Sequence, residues 1–145
     1  MPTKTRNSIH LERTFNAPCE KVYSAWMDAA SLKKWFAPSE DYTVIIEDLP
    51  AQLGGRYRIN MKEKTGEDHI VTGVYEQVEK PELLVLTWSW EGKEHFGENK
   101  LALEFKDDGG STQMALTHEY FPDQESRDKH EKSWNAILDR LAVAF

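Results

Sequence analysis

From Asp123 to Phe145 the chain places His130, Trp134, Ile137, Leu138, Leu141 and Phe145 at helical spacing, so its last stretch reads as one long amphipathic helix. The opposite face is charged. Asp123–Arg127, Glu125–Lys129 and Asp128–Lys132 stand four residues apart in the order that supports a helix. Pro122 and Asp123 suit its start. What precedes it is mostly strand, so the apolar stripe must be covered by a sheet curved around the helix. Such a layout leaves room for a cavity between sheet and helix.

The strand pattern is legible along the chain. Ile9 to Asn16 alternates Ile9, Leu11, Arg13 and Phe15 and forms a first strand. Ala17-Pro18 opens a short helix whose stripe is Val22, Ala25 and Trp26. Asp28 or Ser31 caps a second short helix carrying Leu32, Trp35 and Phe36, which Pro38 ends. Strands follow over Tyr42 to Asp48, Arg56 to Lys62, His69 to Val78, Leu83 to Trp90, Lys100 to Lys106 and Ser111 to Tyr120. Turns at Gly54-Gly55, Lys64–Glu67, Lys80–Glu82 and Asp107–Gly110 separate most of them, the last being a strong hairpin signal. Glu91 to Glu98 is a polar loop that could fold over a cavity mouth. Consecutive hairpins imply an antiparallel sheet with helices on one face. The expected architecture is α+β in the order β-αα-β6-α.

At 145 residues the chain fits one domain over 1–145. A formal net charge of −7 argues against nucleic acid, whose binding needs a basic surface. No apolar run approaches the roughly 20 residues of a membrane span. MPTKTRNSIH lacks the apolar core of a signal peptide, so the expected address is cytoplasmic. The lone Cys19 excludes an intramolecular disulfide. Its place beside Glu20 near a helix start leaves thiolate activation open; a packed or half-exposed thiol is the plainer reading.

LERTFNAPCEKVYSAWMDAASLKKWFAP resembles the N-terminal signature of the activator-of-heat-shock-protein-ATPase-homologue-like family, within the START-like, birch-pollen-allergen-like helix-grip superfamily. The residues that carry the likeness are Arg13, Phe15, Ala17-Pro18, Val22, Ala25-Trp26, Leu32 and the run Trp35-Phe36-Ala37-Pro38. Gly54-Gly55, Gly73 with Tyr75, Glu79 to Leu84, Trp88, His118 and His130 to Leu141 extend it over almost the whole chain. The resemblance implies a curved sheet of about seven antiparallel strands wrapped on the C-terminal helix, with two short helices closing one end. Superfamily members bind lipids, hormones or polyketides, and some catalyse cyclisation, dehydration or hydrolysis. The founding co-chaperones bind a heat-shock ATPase and carry a further N-terminal domain that this sequence does not contain. Where the family often has glycine before the helix tryptophan, this chain has Ser133, which would narrow the cavity or add a hydroxyl to its wall.

Alternation assigns Tyr57, Ile59, Leu86, Trp88, Leu103, Met114, Leu116 and His118 to the concave face. The helix adds Trp134 and Leu138, and the mouth adds Trp35 and Phe36. Apolar walls with few polar groups suit a small-molecule site; the competing outcome is that these bulky side chains fill the interior. His118 and His130 are the histidines on apolar faces. Either could serve as acid or base, or hydrogen-bond to Tyr120, Tyr57 or a backbone carbonyl. His10, His69 and His95 read as surface groups. No metal, phosphate or nucleophile motif is present, and no cofactor is expected. Arg56 and Arg58 point away from the core, where either could reach an acidic ligand at a rim; pairing with Glu76 or Glu47 across the strands is the plainer reading.

Three functions remain open. The first is binding of a small, largely apolar molecule between sheet and helix, with His118, Tyr57 and Tyr120 orienting its polar atoms. The second is a cyclase- or hydrolase-type enzyme using His118 in the same cavity. The third is a co-chaperone-like interaction module with a chaperone partner. A homodimer through an exposed edge strand stays open as well.

Overall fold

The computed structural model describes residues 7–49, 52–93, 95 and 97–145. Its elements follow the chain as β1 (Ile9–Phe15), α1 (Cys19–Met27), α2 (Ala29–Trp35), β2 (Tyr42–Asp48), β3 (Arg56–Glu63), β4 (Ile70–Glu79), β5 (Leu83–Trp90), β6 (Asn99–Asp108), β7 (Ser111–Glu119) and α3 (Gln124–Val143). The strands form one seven-stranded sheet ordered β1-β7-β6-β5-β4-β3-β2. Every pairing is antiparallel. This is the expected α+β helix-grip arrangement.

Alternation decides which face of each strand is buried. β7 buries Thr112, Met114, Leu116 and His118; β3 buries Tyr57, Ile59 and Met61. Gly109 and Gly110 both adopt positive φ, at 64° and 96°, as a tight hairpin turn demands. Gly73 answers a different need. There β4 lies so close to β5 that a Cβ would stand 2.0 Å from the Thr87 carbonyl oxygen. The same stretch is pinned by side chains: Tyr57 OH donates to Thr87 O (2.6 Å) and Val74 N–H donates to Thr87 Oγ1 (2.8 Å).

The helices start where their caps say. Asp28 accepts from Ser31 N–H (3.0 Å) at α2, and Asp123 accepts from Ser126 N–H (2.8 Å) at α3, each satisfying a donor the helix leaves free. α3 buries His130, Trp134, Ile137, Leu138 and Leu141. Phe145 lies beyond its end and meets Phe15 edge-on at 6.0 Å. Arg13 of β1 ties the outer side of α3 to the sheet, donating to Asp139 (2.8 Å) and Asn135 Oδ1 (3.0 Å).

Several expectations are corrected. Asp123 is spent on its cap, so Arg127 turns instead to Glu131 (2.7 Å), Asp128 (3.0 Å) and the Ser8 carbonyl (3.0 Å). Among the described residues no ion pair joins Glu125 to Lys129 or Asp128 to Lys132. Arg58 pairs with Glu47 and, through two nitrogens, with Glu91 (2.7 and 2.8 Å), whereas Glu76 pairs with Lys100 (3.1 Å). Tyr120 continues the inner-face alternation of β7 in sequence. Its backbone turns left-handed instead, with φ of 74°, and the residue is 47% exposed. It therefore cannot orient a ligand in the interior. Among the described residues no helix is long and apolar enough to cross a membrane.

Candidate functional site

All twelve residues assigned to the site by sequence are buried, and the structure divides them into three groups. Leu103, Met114, Leu116, His118 and Leu138 pack into the closed core between β6, β7 and α3. Trp35 and Phe36 join Trp26 in an aromatic cluster, with centroid distances of 4.7 Å for Trp26–Trp35 and 5.5 Å for Trp35–Phe36. Phe36, Tyr57, Ile59, Leu86 and Trp88 surround a residual void of about 20 Å³. That is room for about one water. Trp35 and Tyr57 also border grooves on the outer surface, while Trp88 and Trp134 are the two of the twelve that line an opening beneath α3.

That opening is a cleft of about 290 Å³ where α3 stands off from the sheet. Its sheet wall is Met61, Trp88 and Trp90; its helix wall is Ile137 and Trp134 with Ser133, His130 and Lys129 toward the mouth. The helix residues recur at spacings of one, three and four, so they share a face. Trp88 and Trp90 are two apart on β5 and point the same way. Tyr42, His69, Pro38 and Lys93 complete the rim. Pro38 is held by Arg140 of α3, which donates to the carbonyls of Ala37 (3.1 Å), Ser39 (2.8 Å) and Lys34 (3.2 Å). Trp88 buries an indole N–H that meets no acceptor among the described residues.

Two indole–imidazole hydrogen bonds fix the deep wall. Trp134 Nε1 donates to His118 Nδ1 (3.0 Å), and Trp90 Nε1 donates to His130 Nε2 (2.8 Å). His130 Nδ1 lies 2.7 Å from the Ser126 carbonyl, so its proton sits on Nδ1 and the ring is neutral. Sequence offered a tyrosine or a carbonyl as partners; the carbonyl holds for His130, while His118 takes an indole. Burial pushes the His118 pKa well down, with its neighbour His130 adding to the effect. Burial likewise lowers that of His130. His118 is 0% exposed and borders the closed core, away from the cleft.

His69, read from sequence as a surface group, instead lines the rim with its side chain 19% exposed. Together with Glu63 and Glu67 it brings three ligand atoms within 4.8 Å of one another, a spacing that could hold a metal ion. The proton arrangement opposes that use. The Lys93 ammonium, which can only donate, stands 3.1 Å from His69 Nδ1. The remaining proton then sits on Nε2, facing Glu63 at 3.2 Å, at ion-pair distance though outside hydrogen-bond geometry. No lone pair is left for an ion while Lys93 holds that position.

Ser133 lines the wall as the sequence suggested; the residues left out of the expected site are Met61, Trp90, His130 and Ile137 on the walls and His69, Lys93 and Lys129 at the mouth. Alternation and helical spacing had put Met61, Trp90, His130 and Ile137 on inner faces. Nothing in either pattern brings Lys93 and Lys129 together.

A family model described as Activator of Hsp90 ATPase homolog 1-like protein matches residues 16–145. Among curated proteins none matches the chain. Solved structures share the fold. Protein CV1439 from Chromobacterium violaceum superposes with a TM-score of 0.88 at 24% identity, over 95% of this chain and 96% of that one. The AHSA1 protein from Silicibacter pomeroyi gives 0.83 at 25% identity, over 94% and 96%. An AHSA1-like protein from Aeromonas hydrophila gives 0.76 at 23%, over 93% and 89%. With nearly the whole chain covered, the protein belongs to the Activator of Hsp90 ATPase homolog 1-like family.

Proposed function

We propose that this protein is a binding module for a small, largely apolar molecule held between β3, β5 and α3. One observation carries it. Beneath the two short helices the described interior narrows to a void of about 20 Å³, whereas between sheet and α3 it opens to about 290 Å³ where three tryptophans converge. That volume stands at the lower end of ligand pockets, about 300–1,000 Å³, and the mix of apolar walls with a few polar groups is the usual one. The contact area comes from Trp88, Trp90, Trp134, Met61 and Ile137. The polar atoms nearest a ligand belong to Ser133, His69 and the two lysines. This differs from the arrangement expected from sequence, in which His118 and Tyr57 orient the ligand, because both are committed to other partners inside the core.

Neutral N-phenyl-1-naphthylamine, whose emission rises in apolar surroundings, is the probe. It should bind one to one and quench tryptophan emission. Ser133→Trp, placed at a half-exposed point of the helix wall, should weaken that binding by about tenfold or more. Native mass spectrometry of the freshly purified protein should show excess mass that the same variant loses. Absence of binding by the wild type, or equal binding by the variant, overturns this function.

A further inference from the structure

We infer that the ligand is an anion: a flat aromatic carboxylate whose ring enters the tryptophan-lined cleft and whose charge rests at the mouth. This deepens the function proposed above and rests on it. The chain has 25 acidic residues against 18 lysines and arginines, so a random stretch of its surface carries net negative charge. The cleft does the reverse. Lys93 and Lys129 line it, with His69 and His130, and among the described residues no aspartate or glutamate does. Among the described residues neither ammonium lies within ion-pair distance of a carboxylate. Glu63 and Glu67 stand behind His69, on its far side from Lys93.

The chemistry of the lining points the same way. Lys93 is half-buried, with its Nζ 5.8 Å above the centre of the Trp90 ring and 3.1 Å from His69 Nδ1. An ammonium so placed has shed part of its hydration, and an incoming carboxylate would restore what it has lost. The cleft lining carries two ammoniums and the Trp88 indole N–H, which meets no acceptor among the described residues. The two histidine nitrogens that could accept, His69 Nδ1 and His130 Nε2, are already taken by Lys93 and Trp90. A carboxylate offers these donors two charged oxygens, where a neutral amide offers one uncharged oxygen. Two lysines rather than an arginine suit a point charge more than a bidentate fork.

The test compares 2-naphthoate with its neutral isostere 2-naphthamide by calorimetry at neutral pH and low salt. The expected result is that naphthoate binds about tenfold tighter, one charge-assisted contact's worth. In the double variant Lys93→Met, Lys129→Met that preference should fall to near unity, and in the wild type added salt should erode it. Equal affinities for the two compounds in the wild type overturn the anion inference and leave the binding function standing. A naphthoate preference that survives the double variant overturns it too, since the charge is then recognised elsewhere. Binding of neither compound, together with no binding of N-phenyl-1-naphthylamine, overturns the cleft function itself. Binding of that naphthylamine alone overturns the anion inference only.

Discussion

Two indole–imidazole pairs lie side by side in this protein and behave as opposites. His118 with Trp134 sits in the shut half, where Leu103, Leu116 and Leu138 meet at 0% exposure. His130 with Trp90 sits in the open half, on the wall of the cleft. The two imidazoles are only 5.5 Å apart, centre to centre. Within one ring's width, therefore, the structure passes from buried core to the lining of the cleft. The same helix serves both: Leu138 and Leu141 lie in the core, and Ser133 and Ile137 line the cleft.

The largest effect belongs to Trp134, which touches both halves. Trp134→Ala should cost about 3–5 kcal/mol in denaturant unfolding, as a buried aromatic lost from a filled interior does. It also strips His118 Nδ1 of its donor. A loss below about 1 kcal/mol would mean that the half described as shut is open as well.

Adjacent residues on α3 then give a direct contrast. Leu138→Ala empties the shut half and should cost about 3 kcal/mol, within the range for buried leucines. Ile137→Ala borders space that is already open, so it should cost about 1–2 kcal/mol less, while weakening N-phenyl-1-naphthylamine binding. Equal losses at the two positions would erase the distinction between the halves.

Acid should find the same seam. In the unfolded chain both histidines titrate near 6.5, and in the folded protein burial holds them lower. The unfolded state therefore binds more protons in that window. Their contribution is fully present above pH 6.5 and is lost as pH falls below it, at up to about 1.4 kcal/mol per pH unit for each. The carboxylates held low in the folded state, among them Glu63, Asp68, Glu91 and Asp123, lose their contribution at still lower pH, below their ordinary range. Folding stability measured from pH 7.5 to 5 should fall in the wild type. His118→Asn and His130→Gln keep an acceptor for each indole, and each should flatten the slope. An unchanged slope in both would place the acid-sensitive group elsewhere.

How far sequence reading reached follows from what each half requires. Alternation and helical spacing depend on local geometry alone, so they located every strand and helix and buried Met114, Leu116, Trp88 and Trp134 on the proper faces. Both halves carry the same inward pattern, however, and nothing periodic separates Leu103, which is packed, from Met61, which borders the cleft. That difference lies in how far α3 stands from each strand, a sum of side-chain volumes across distant elements. The charged mouth was illegible for the same reason, since Lys93 follows β5 and Lys129 opens α3. Tyr120 failed differently: its alternation was sound, but a left-handed backbone residue ended the strand one position early.

Ser133 sets the smallest and most selective test. It is half-exposed near the middle of α3 and its side chain forms part of the cleft wall, so it supports little packing of its own. Ser133→Gly should cost about 0.5 kcal/mol of stability, the difference in helix propensity. Removing the hydroxymethyl group widens the cleft at the turn before Trp134. N-phenyl-1-naphthylamine, with its second ring system to accommodate, should then bind tighter, while the smaller 2-naphthamide should change little. A stability loss above about 2 kcal/mol would instead put Ser133 in the packed interior. The boundary between the two halves would then lie nearer the mouth of the cleft than Trp90 and His130 place it.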